Sequence, residues 1–348
     1  MEGFDLIEIT GATAYDRGLC YGHKARGKIG PCIDSYKAYF SRRSRFGWER
    51  LRSYAAAYVP VIEAEMPELV EEAKGISAGA GVEFEDVMVV NCRYEITKQP
   101  EAGECTTAAV LPRASGNGTL MVKNWDYRAG IMGHIVVLHI VQPDGTRILG
   151  LSEAGQLIRE GFNSHGIGLC NNALKSVHDG PGTGIPVTFL RRKTLACSSF
   201  EAASQTLVNA KRSVSNNMLL ASSTGEAVDI EAHPLGCDII EPVADIIVHA
   251  NHFTVHPEID RREKSPRDGR LRELLVQRWG DIDVEYIKSC VRDHRNYPEC
   301  ICSHPRGRAA RTEDLNMTVA SMVIDFADES AHICIGPPCE GNYLKYSL

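Results

Sequence analysis

The chain has 348 residues, of which 43% are hydrophobic and 24% are charged, and this balance excludes the disordered, collagen-like and coiled-coil classes. Its 38 Lys and Arg residues and 45 Asp and Glu residues give a formal net charge of −7, so a nucleic-acid partner is not expected. The longest stretch without Asp, Glu, Lys or Arg runs from Ala129 to Pro143. It is shorter than the roughly 18 apolar residues that a membrane span requires, so no membrane partner is expected.

The N-terminus and the cysteines indicate where the protein works. The sequence Met1-Glu2-Gly3-Phe4-Asp5 is acidic where a signal peptide is basic and then apolar, so we expect a cytoplasmic protein. The 12 Cys residues are scattered along the chain and do not have the short spacings of a small secreted scaffold. Most of them are therefore predicted to be reduced thiols without a chemical role.

The first hundred residues have helical periodicity. Apolar residues recur at three- and four-residue spacing from Tyr36 to Ala57 and from Val61 to Lys74, and prolines interrupt the pattern. A glycine-rich segment, Gly75 to Gly81, is predicted to be a turn that leads through a short helix, Glu83 to Asn91.

From Thr106 onward, short apolar runs alternate with turn residues, which predicts β-hairpins. The expected strands are Thr106–Leu111, Thr119–Asn124, His134–Val141, Arg147–Ser152, Leu157–Phe162, Ile167–Asn172, Met218–Ser222, Ala227–Glu231, Ile246–Ala250, Thr318–Asp325 and Ala331–Ile335. Helices are expected after the capping box Ser198-x-x-Glu201, from Arg270 to Trp279 and from Val284 to Arg292.

This order of elements predicts the fold class. Many antiparallel strands accompanied by helices are typical of an α+β protein with two packed sheets and helices outside them. Because the sequence has no linker and no internal repeat, we expect a single domain over residues 1–348.

The common catalytic motifs are absent from the sequence. There is no Gly-x-Gly-x-x-Gly, Walker loop, His-Glu-x-x-His or Gly-x-Ser-x-Gly. Two clusters contain residues of the types that bind metals, namely His249-x-x-His252-x-x-x-His256 and Cys300-x-Cys302-x-His304. Neither has a paired Cys-x-x-Cys frame or a carboxylate at a recognised offset, so we expect no metal and no cofactor.

The most informative segment is Gly103-Glu104-Cys105-Thr106-Thr107-Ala108-Ala109-Val110, followed by Lys123-Asn124-Trp125-Asp126-Tyr127. Other motifs follow in a consistent order, from Arg17-Gly18-Leu19-Cys20-Tyr21-Gly22 through Gly161-Phe162-Asn163 and Ala250-Asn251-His252-Phe253 to Gly336-Pro337-Pro338-Cys339-Glu340. Together they resemble the acyl-coenzyme A:6-aminopenicillanic acid acyltransferase family. Its members are autoproteolytic N-terminal-nucleophile (Ntn) hydrolases related to choloylglycine hydrolases and penicillin V acylases. The resemblance implies a four-layer αββα sandwich of two antiparallel sheets flanked by helices.

Cys105 is the nucleophile that this resemblance implies. A thiol with a pKa near 8.5 is only partly ionised at neutral pH, and the α-amine of an N-terminal cysteine, with a pKa of about 7.7 to 8.0, can act as its base. Cys105 would gain that amine by self-cleavage after Glu104, which would yield a helical α chain, 1–104, and a catalytic β chain, 105–348. The family usually has Gly before the nucleophile, and Glu104 departs from that pattern. It could act as a local acid or base or be a solvated side chain.

The resemblance also assigns roles to other residues. Asp126 would hold the α-amine or thiol, and Asn251 would donate to the oxyanion. The asparagine pair Asn171 and Asn172 falls where relatives have an oxyanion or substrate-binding residue. An arginine after Ser265, with Arg270 preferred over Arg267, would orient Asp126 or hold a substrate carboxylate. Trp125 and Tyr127 would shape the substrate pocket.

These assignments predict an enzyme that cleaves or transfers the acyl group of a small non-peptide amide or thioester through a Cys105 acyl-enzyme. The acceptor is water or an amine, and the two processed chains stay associated. A homo-oligomer is compatible with the sequence. The alternatives are an unprocessed, non-catalytic protein that binds an acyl or amide ligand, and a metal-binding regulator that uses the His and Cys clusters.

Overall fold

The structure is a computed structural model that describes residues 3–97, 105–180, 182–305 and 311–348. Its strands are β1 (Asp5–Ile9), β2 (Cys105–Val110), β3 (Leu120–Arg128), β4 (Ile135–Val141), β5 (Arg147–Glu153), β6 (Glu160–Asn163), β7 (Ile167–Ala173), β8 (Asn216–Ser222), β9 (Ala227–His233), β10 (Gly236–Ile240), β11 (Ile246–His249), β12 (Asn316–Asp325), β13 (Ser330–Ile335) and β14 (Tyr343–Ser347). Its α-helices are α1 (Ala14–Lys24), α2 (Arg26–Arg43), α3 (Trp48–Ala56), α4 (Val59–Glu65), α5 (Pro67–Ala80), α6 (Phe84–Asn91), α7 (Arg93–Thr97), α8 (Pro112–Ser115), α9 (Val187–Thr194), α10 (Phe200–Val208), α11 (Arg267–Val276) and α12 (Val284–Cys290).

Within the described residues the strands form two sheets. Sheet A has the order β1-β4-β5-β6-β7-β8-β9-β10, and sheet B has the order β11-β2-β3-β12-β13-β14. Every neighbouring pair of strands is antiparallel except β1 and β4, which run parallel. The parallel pair lies at one edge of sheet A, where β1 from the N-terminal segment joins it, and the two sheets are otherwise antiparallel, as predicted.

The two sheets pack face to face between helical layers. Strands β2 and β3 of sheet B contact β7 and β8 of sheet A, and helices α11 and α12 bury Leu271, Leu275 and Ile287 against the outer face of sheet B. Helices α1, α9 and α10 lie with sheet A. This arrangement confirms the predicted α+β class. No helix in the described ranges has the length and apolar character of a membrane span.

Each strand predicted from the hairpin pattern overlaps a strand of the structure. Strands β1, β10 and β14 and helix α9 were not predicted, because their apolar residues are few or lack a clear period. One cap is shifted by a residue: Ser199, not Ser198, caps α10, and its hydroxyl accepts a hydrogen bond from the backbone N–H of Ala202 at 3.2 Å.

The glycine-rich segment 75–81 is not the predicted turn, because α5 continues through it to Ala80. Its glycines allow α1 and α5 to pack with their backbones in contact. A Cβ atom at Gly18 would lie 2.0 Å from the carbonyl oxygen of Glu72, and one at Gly75 would lie 2.2 Å from that of Tyr15. The glycines therefore serve a close helix crossing.

A buried charge cluster joins the N-terminal helices to sheet A. Glu153, at the end of β5, lies 2.8 Å from Arg93 and 3.0 Å from Arg159, and accepts a hydrogen bond from the Tyr36 hydroxyl. Burial alone would raise the pKa of Glu153, but the two arginines hold that pKa below its ordinary value. Tyr94 accepts hydrogen bonds from both guanidinium groups. These contacts tie residues before position 97 to residues after position 105.

Candidate active site

Cys105 is the first residue of β2 and lies in a small cavity between the sheets. It pairs with Trp125 of β3 across the ladder, and its side chain is buried. The cavity is lined by Tyr94, Cys105, Trp125, Asp126, Tyr127, Arg159, Asn171 and Ala173. The residues that the sequence assigned to the nucleophile or its pocket therefore line one cavity together with Asn171. They are Cys105, Trp125, Asp126 and Tyr127.

Asn251 binds the backbone of the predicted nucleophile. Its Oδ1 accepts a hydrogen bond from the backbone N–H of Cys105, and its Nδ2 donates to the carbonyl oxygen of Ala173 at 2.8 Å. The oxygen of the Asn251 amide therefore faces Cys105, and its nitrogen faces the backbone carbonyl of Ala173. The oxygen of this amide can accept a hydrogen bond from an amine at Cys105, and the oxyanion role expected from the sequence stays a prediction, because the amide nitrogen carries a second proton.

Asp126 is buried with an ordered set of partners. Its Oδ1 accepts a hydrogen bond from Thr318 Oγ1 at 2.6 Å, and its Oδ2 lies 3.6 Å from Nη1 of Arg267. The other terminal nitrogen of Arg267, Nη2, donates to Asn251 Oδ1 at 3.3 Å. One guanidinium thus bridges the carboxylate and the amide on either side of Cys105.

The structure reverses the sequence preference between the two arginines. Arg270 lies one turn further along α11, where its Nη2 is 2.6 Å from Oδ2 of Asp293. Its Nη1 also lies 3.1 Å from Glu273. Arg267, the first residue of α11, is the arginine that contacts Asp126, because the helix begins beside the carboxylate.

The asparagine pair also separates in the structure. Nδ2 of Asn172 donates to Thr107 Oγ1 at 2.8 Å and to Asn217 Oδ1 at 2.9 Å, which ties β7 to its neighbours. Among the described residues, the buried Oδ1 atoms of Asn171 and Asn172 both lack a hydrogen-bond partner. Of the two, Asn171 lines the Cys105 cavity, so it is the member of the pair placed to contact a substrate atom there.

The electrostatics of the cavity disfavour a thiolate at Cys105 as an internal residue. Burial raises the pKa of the Cys105 thiol, and Asp126 and Glu160 also raise it, whereas the positive charges of Lys123 and Arg159 lower it. The net direction is upward, so the thiol needs a base. Glu104, expected beside the scissile bond, lies outside the described residues.

No role was assigned to Arg159 or Tyr94 from the sequence. The guanidinium carbon of Arg159 lies 3.9 Å from the centroid of the Trp125 ring, and its Nη1 donates to the Tyr94 hydroxyl at 3.0 Å. Both residues line the cavity. Arg159 lies two residues before the motif Gly161-Phe162-Asn163 and outside it, so the motif does not mark it.

A larger cavity adjoins the first and shares Tyr94, Asn171 and Ala173 with it. Its lining includes the basic residues Lys175, Arg191, Arg261 and Arg262 and the acidic residue Asp179. Arg191 is 1% exposed, and among the described residues its Nε and Nη1 have no hydrogen-bond partner. The cavity next to the Cys105 cavity is therefore lined by more positive than negative charges.

The predicted histidine cluster does not converge on one point. The imidazole of His249 lies 2.7 Å from Glu231, that of His252 lies 3.7 Å from Asp268, and that of His256 lies 2.9 Å from Glu258. Each ring faces a different carboxylate, so these three side chains form separate pairs.

Comparison with known proteins identifies the family. The family model described as acyl-coenzyme A:6-aminopenicillanic acid acyl-transferase matches residues 113–340, a range that includes Asp126, Asn251 and Arg267 and begins after Cys105. The 40 kDa form of the acyl-coenzyme A:6-aminopenicillanic-acid-acyltransferase of Emericella nidulans is 26% identical over 336 residues, which cover 94% of this chain and 91% of that protein.

Solved structures of three other proteins are similar to this chain at lower identity. The Caenorhabditis elegans N-acylethanolamine-hydrolyzing acid amidase ortholog is 16% identical, with coverage of 70% of this chain and 100% of that chain and a TM-score of 0.47. A mutant of the conjugated bile acid hydrolase from Clostridium perfringens is 12% identical, with coverage of 70% and 97% and a TM-score of 0.47. The penicillin V acylase from Agrobacterium tumefaciens is 11% identical, with coverage of 70% and 86% and a TM-score of 0.46.

The family model matches well over half of the chain. The chain belongs to the acyl-coenzyme A:6-aminopenicillanic acid acyl-transferase family.

Proposed function

We propose that this protein is a self-processing cysteine acyltransferase or amide hydrolase. The thiol of Cys105 is its nucleophile, and the α-amine of the same residue is its base. The observation that carries the proposal is the hydrogen bond from the backbone nitrogen of Cys105 to Oδ1 of Asn251. Cleavage before Cys105 converts that nitrogen into an α-amine, and the acceptor that holds it is then already in position.

The processing step follows from the chemistry of a thiol beside an amide. Sγ of Cys105 adds to the carbonyl carbon of Glu104, and the Glu104–Cys105 C–N bond breaks while the nitrogen takes the thiol proton. The product is a thioester with a free amine. Water then attacks the thioester, leaving a carboxylic acid on Glu104 and a thiol on Cys105.

The mature site uses the same groups in turnover. The α-amine removes the proton from Sγ as the sulfur attacks the acyl carbon of the substrate, and it returns the proton to the departing amine or thiol. Asn251 and Asp126 fix the amine, and Arg267 holds both of them. Asn171, which lines the cavity with an unpartnered amide oxygen, is the side chain best placed to contact the substrate.

The adjoining basic cavity supports a substrate with an anionic group. Among the described residues, two buried nitrogens of Arg191 have no hydrogen-bond partner, and Lys175 and Arg261 line the same cavity. A carboxylate or phosphate there would satisfy these donors. The family and the Emericella nidulans relative support an acyl thioester as donor and an amine as acceptor, and water is the alternative acceptor.

The first test is the intact mass of the purified protein under denaturing conditions. We expect two chains, residues 1–104 and 105–348, with Cys105 at the N-terminus of the second, and a single uncleaved chain for Cys105→Ala. The control is Cys170→Ala, which removes another buried thiol, from β7, and should be cleaved like the wild type.

The second test asks whether Cys105 carries the acyl group. Rapid quenching of the wild type with a panel of small acyl thioesters and amides, each with and without a carboxylate, should add the acyl mass to the peptide that begins at Cys105. An intact wild-type chain that turns over no member of the panel would favour the alternative, a non-catalytic binding protein, and would contradict the proposal.

A further inference from the structure

Four side chains of metal-binding type meet at the surface beside the C-terminal part of sheet B. They are His294, Cys302, His304 and Cys339, and their ligand atoms all lie within 4.8 Å of one another. Over residues 3–97, 105–180, 182–305 and 311–348, this is the only group of three or more such residues with that spacing. Cys302 is buried, His304 is half-buried, and the other two are exposed.

Four of the six ligand-to-ligand distances are close to the edges of a tetrahedron around one ion. Zinc bonds of about 2.3 Å to sulfur and about 2.0 Å to nitrogen put two sulfurs about 3.8 Å apart, two nitrogens about 3.3 Å apart, and a sulfur and a nitrogen about 3.5 Å apart. The two sulfurs lie 3.5 Å apart, and the Nε2 atoms of His294 and His304 lie 3.0 Å apart. His304 Nε2 is 3.9 Å from the sulfur of Cys302 and 3.2 Å from that of Cys339.

The surroundings orient the ligands. Nδ1 of His304 lies 3.2 Å from Oε1 of Glu340, so a carboxylate holds the ring with Nε2 facing the cluster. A carboxylate on the far nitrogen of a metal-bound histidine fixes its tautomer and raises its basicity as a ligand. The loop that carries Cys302 is fixed from beneath by Asn124, whose Nδ2 donates to the carbonyl oxygen of Ile301 at 2.9 Å.

We propose that His294, Cys302, His304 and Cys339 bind a zinc ion. Two thiolates and two imidazoles are a ligand set that zinc takes in closed, four-coordinate structural sites. The ion would join the loop of residues 293–304 to the turn of residues 336–340. This revises our expectation of no metal, because only Cys302 and His304 lie together in the sequence and the fold supplies the other two ligands.

The proposed zinc site lies outside the Cys105 site but is connected to Asp126 through two hydrogen bonds. The backbone N–H of Ser303, between two of the ligands, donates to Thr318 Oγ1 at 2.9 Å, and that hydroxyl donates to Asp126. A bound ion therefore restrains a loop that touches the partner of Asp126.

The experiment measures the metal itself. Wild-type protein, purified without chelator, should contain about one zinc per chain by elemental analysis. After removal of zinc, one equivalent of Co²⁺ should give the thiolate-to-cobalt charge-transfer band and the d–d bands of a tetrahedral ion. Zinc should also raise the melting temperature of the metal-free protein, since an ion that binds only the folded state stabilises it.

Matched variants locate the ion. His294→Asn combined with Cys339→Ser changes two exposed residues and should lose the zinc equivalent and the cobalt bands while the protein stays folded. His256→Asn combined with Cys237→Ser, outside the cluster, should keep both. The proposal is overturned by zinc-free wild type that also fails to bind Co²⁺, by unchanged metal content in the cluster variant, or by a Cys302–Cys339 disulfide whose reduction yields no metal binding.

Discussion

Nη1 of Arg267 lies 3.6 Å from Oδ2 of Asp126, and the two side chains are 1% and 2% exposed. A carboxylate buried to this extent is costly unless a cation and hydrogen bonds offset its desolvation. The arginine comes from the first residue of α11 and the aspartate from β3, so the site depends on the docking of a helix onto sheet B. Because the same guanidinium contacts Asn251, it holds both groups that flank Cys105.

Arg267→Lys should reduce processing and turnover on the order of 100-fold, because an ammonium group cannot reproduce the two contacts of a planar guanidinium. Arg270→Lys is the matched control on the same helix and should stay within about threefold of the wild type, since the ion pairs of Arg270 are with Asp293 and Glu273 and not with Asp126. The measurement is kcat/KM together with the fraction cleaved. Equal losses in the two variants would remove Arg267 from the site.

Asn251→Ala should lower kcat by about two orders of magnitude with little change in KM, because it removes the acceptor that holds the amine of Cys105. Asn171→Ala should act mainly on KM, since this amide faces the cavity without a protein partner at its oxygen. Steady-state kinetics of both variants on one substrate distinguish the roles. A pure KM effect for Asn251→Ala would make it a binding residue.

Glu153→Gln should lower the free energy of unfolding by about 3 to 5 kcal/mol, because it leaves two buried guanidinium groups without their carboxylate. Glu68→Gln breaks a half-exposed pair with Lys193 at 2.7 Å and should cost less than about 1 kcal/mol. Urea unfolding followed by fluorescence measures both. Similar losses would show that Glu153 does not organise the cluster.

The stability of the protein should fall as the pH rises because of His249. Burial lowers the pKa of its imidazole, but the carboxylates of Asp229 and Glu231 outweigh burial and raise it to about 9. A folded-state pKa above the unfolded value of about 6.5 contributes stability that is complete below pH 6.5 and is lost as the pH rises through 9. The loss expected from this group is about 3 kcal/mol.

The comparison with His249→Gln isolates that contribution. Cysteines exposed by unfolding also ionise in the same pH range, so the wild-type slope alone is ambiguous. Both proteins share the cysteines, and the difference between their unfolding free energies from pH 6.5 to 9.5 reports His249. His256→Gln, at an exposed imidazole, should keep the wild-type slope. Parallel curves for wild type and His249→Gln would contradict the assignment.

The sequence predicted the sheets better than the helices, for a physical reason. Hairpins such as β4 and β5 are marked by short apolar runs and by the turn Pro143-Asp144-Gly145 between them. The role of Gly75 depends on its contact with α1, which lies far earlier along the chain, and no local pattern reveals a helix crossing. A cluster of glycines is typical of a turn, so segment 75–81 was predicted to be one, although α5 continues through it to Ala80.

In the site, too, local motifs could be predicted from the sequence, and contacts between distant segments could not. Cys105 and Asp126 lie in recognisable motifs on paired strands, so their proximity could be predicted. The choice between Arg267 and Arg270 could not be predicted, because both lie in the first half of one helix. Only the docking angle of that helix decides which arginine reaches the carboxylate of Asp126. Cys339 and His294 come from separate loops, and their approach depends on the whole of sheet B.

The parallel strand β1 has a consequence for the processed protein. Cleavage before Cys105 would assign β1 to one polypeptide and its neighbour β4 to the other, so sheet A would be continuous across two molecules. Strand β4 has the sequence Ile-Val-Val-Leu-His-Ile-Val, and without β1 its unpaired N–H and C=O groups would form an apolar open edge. Such edges template intermolecular β-pairing. The short N-terminal strand therefore shields the larger fragment from aggregation, and separation of the chains should precipitate it.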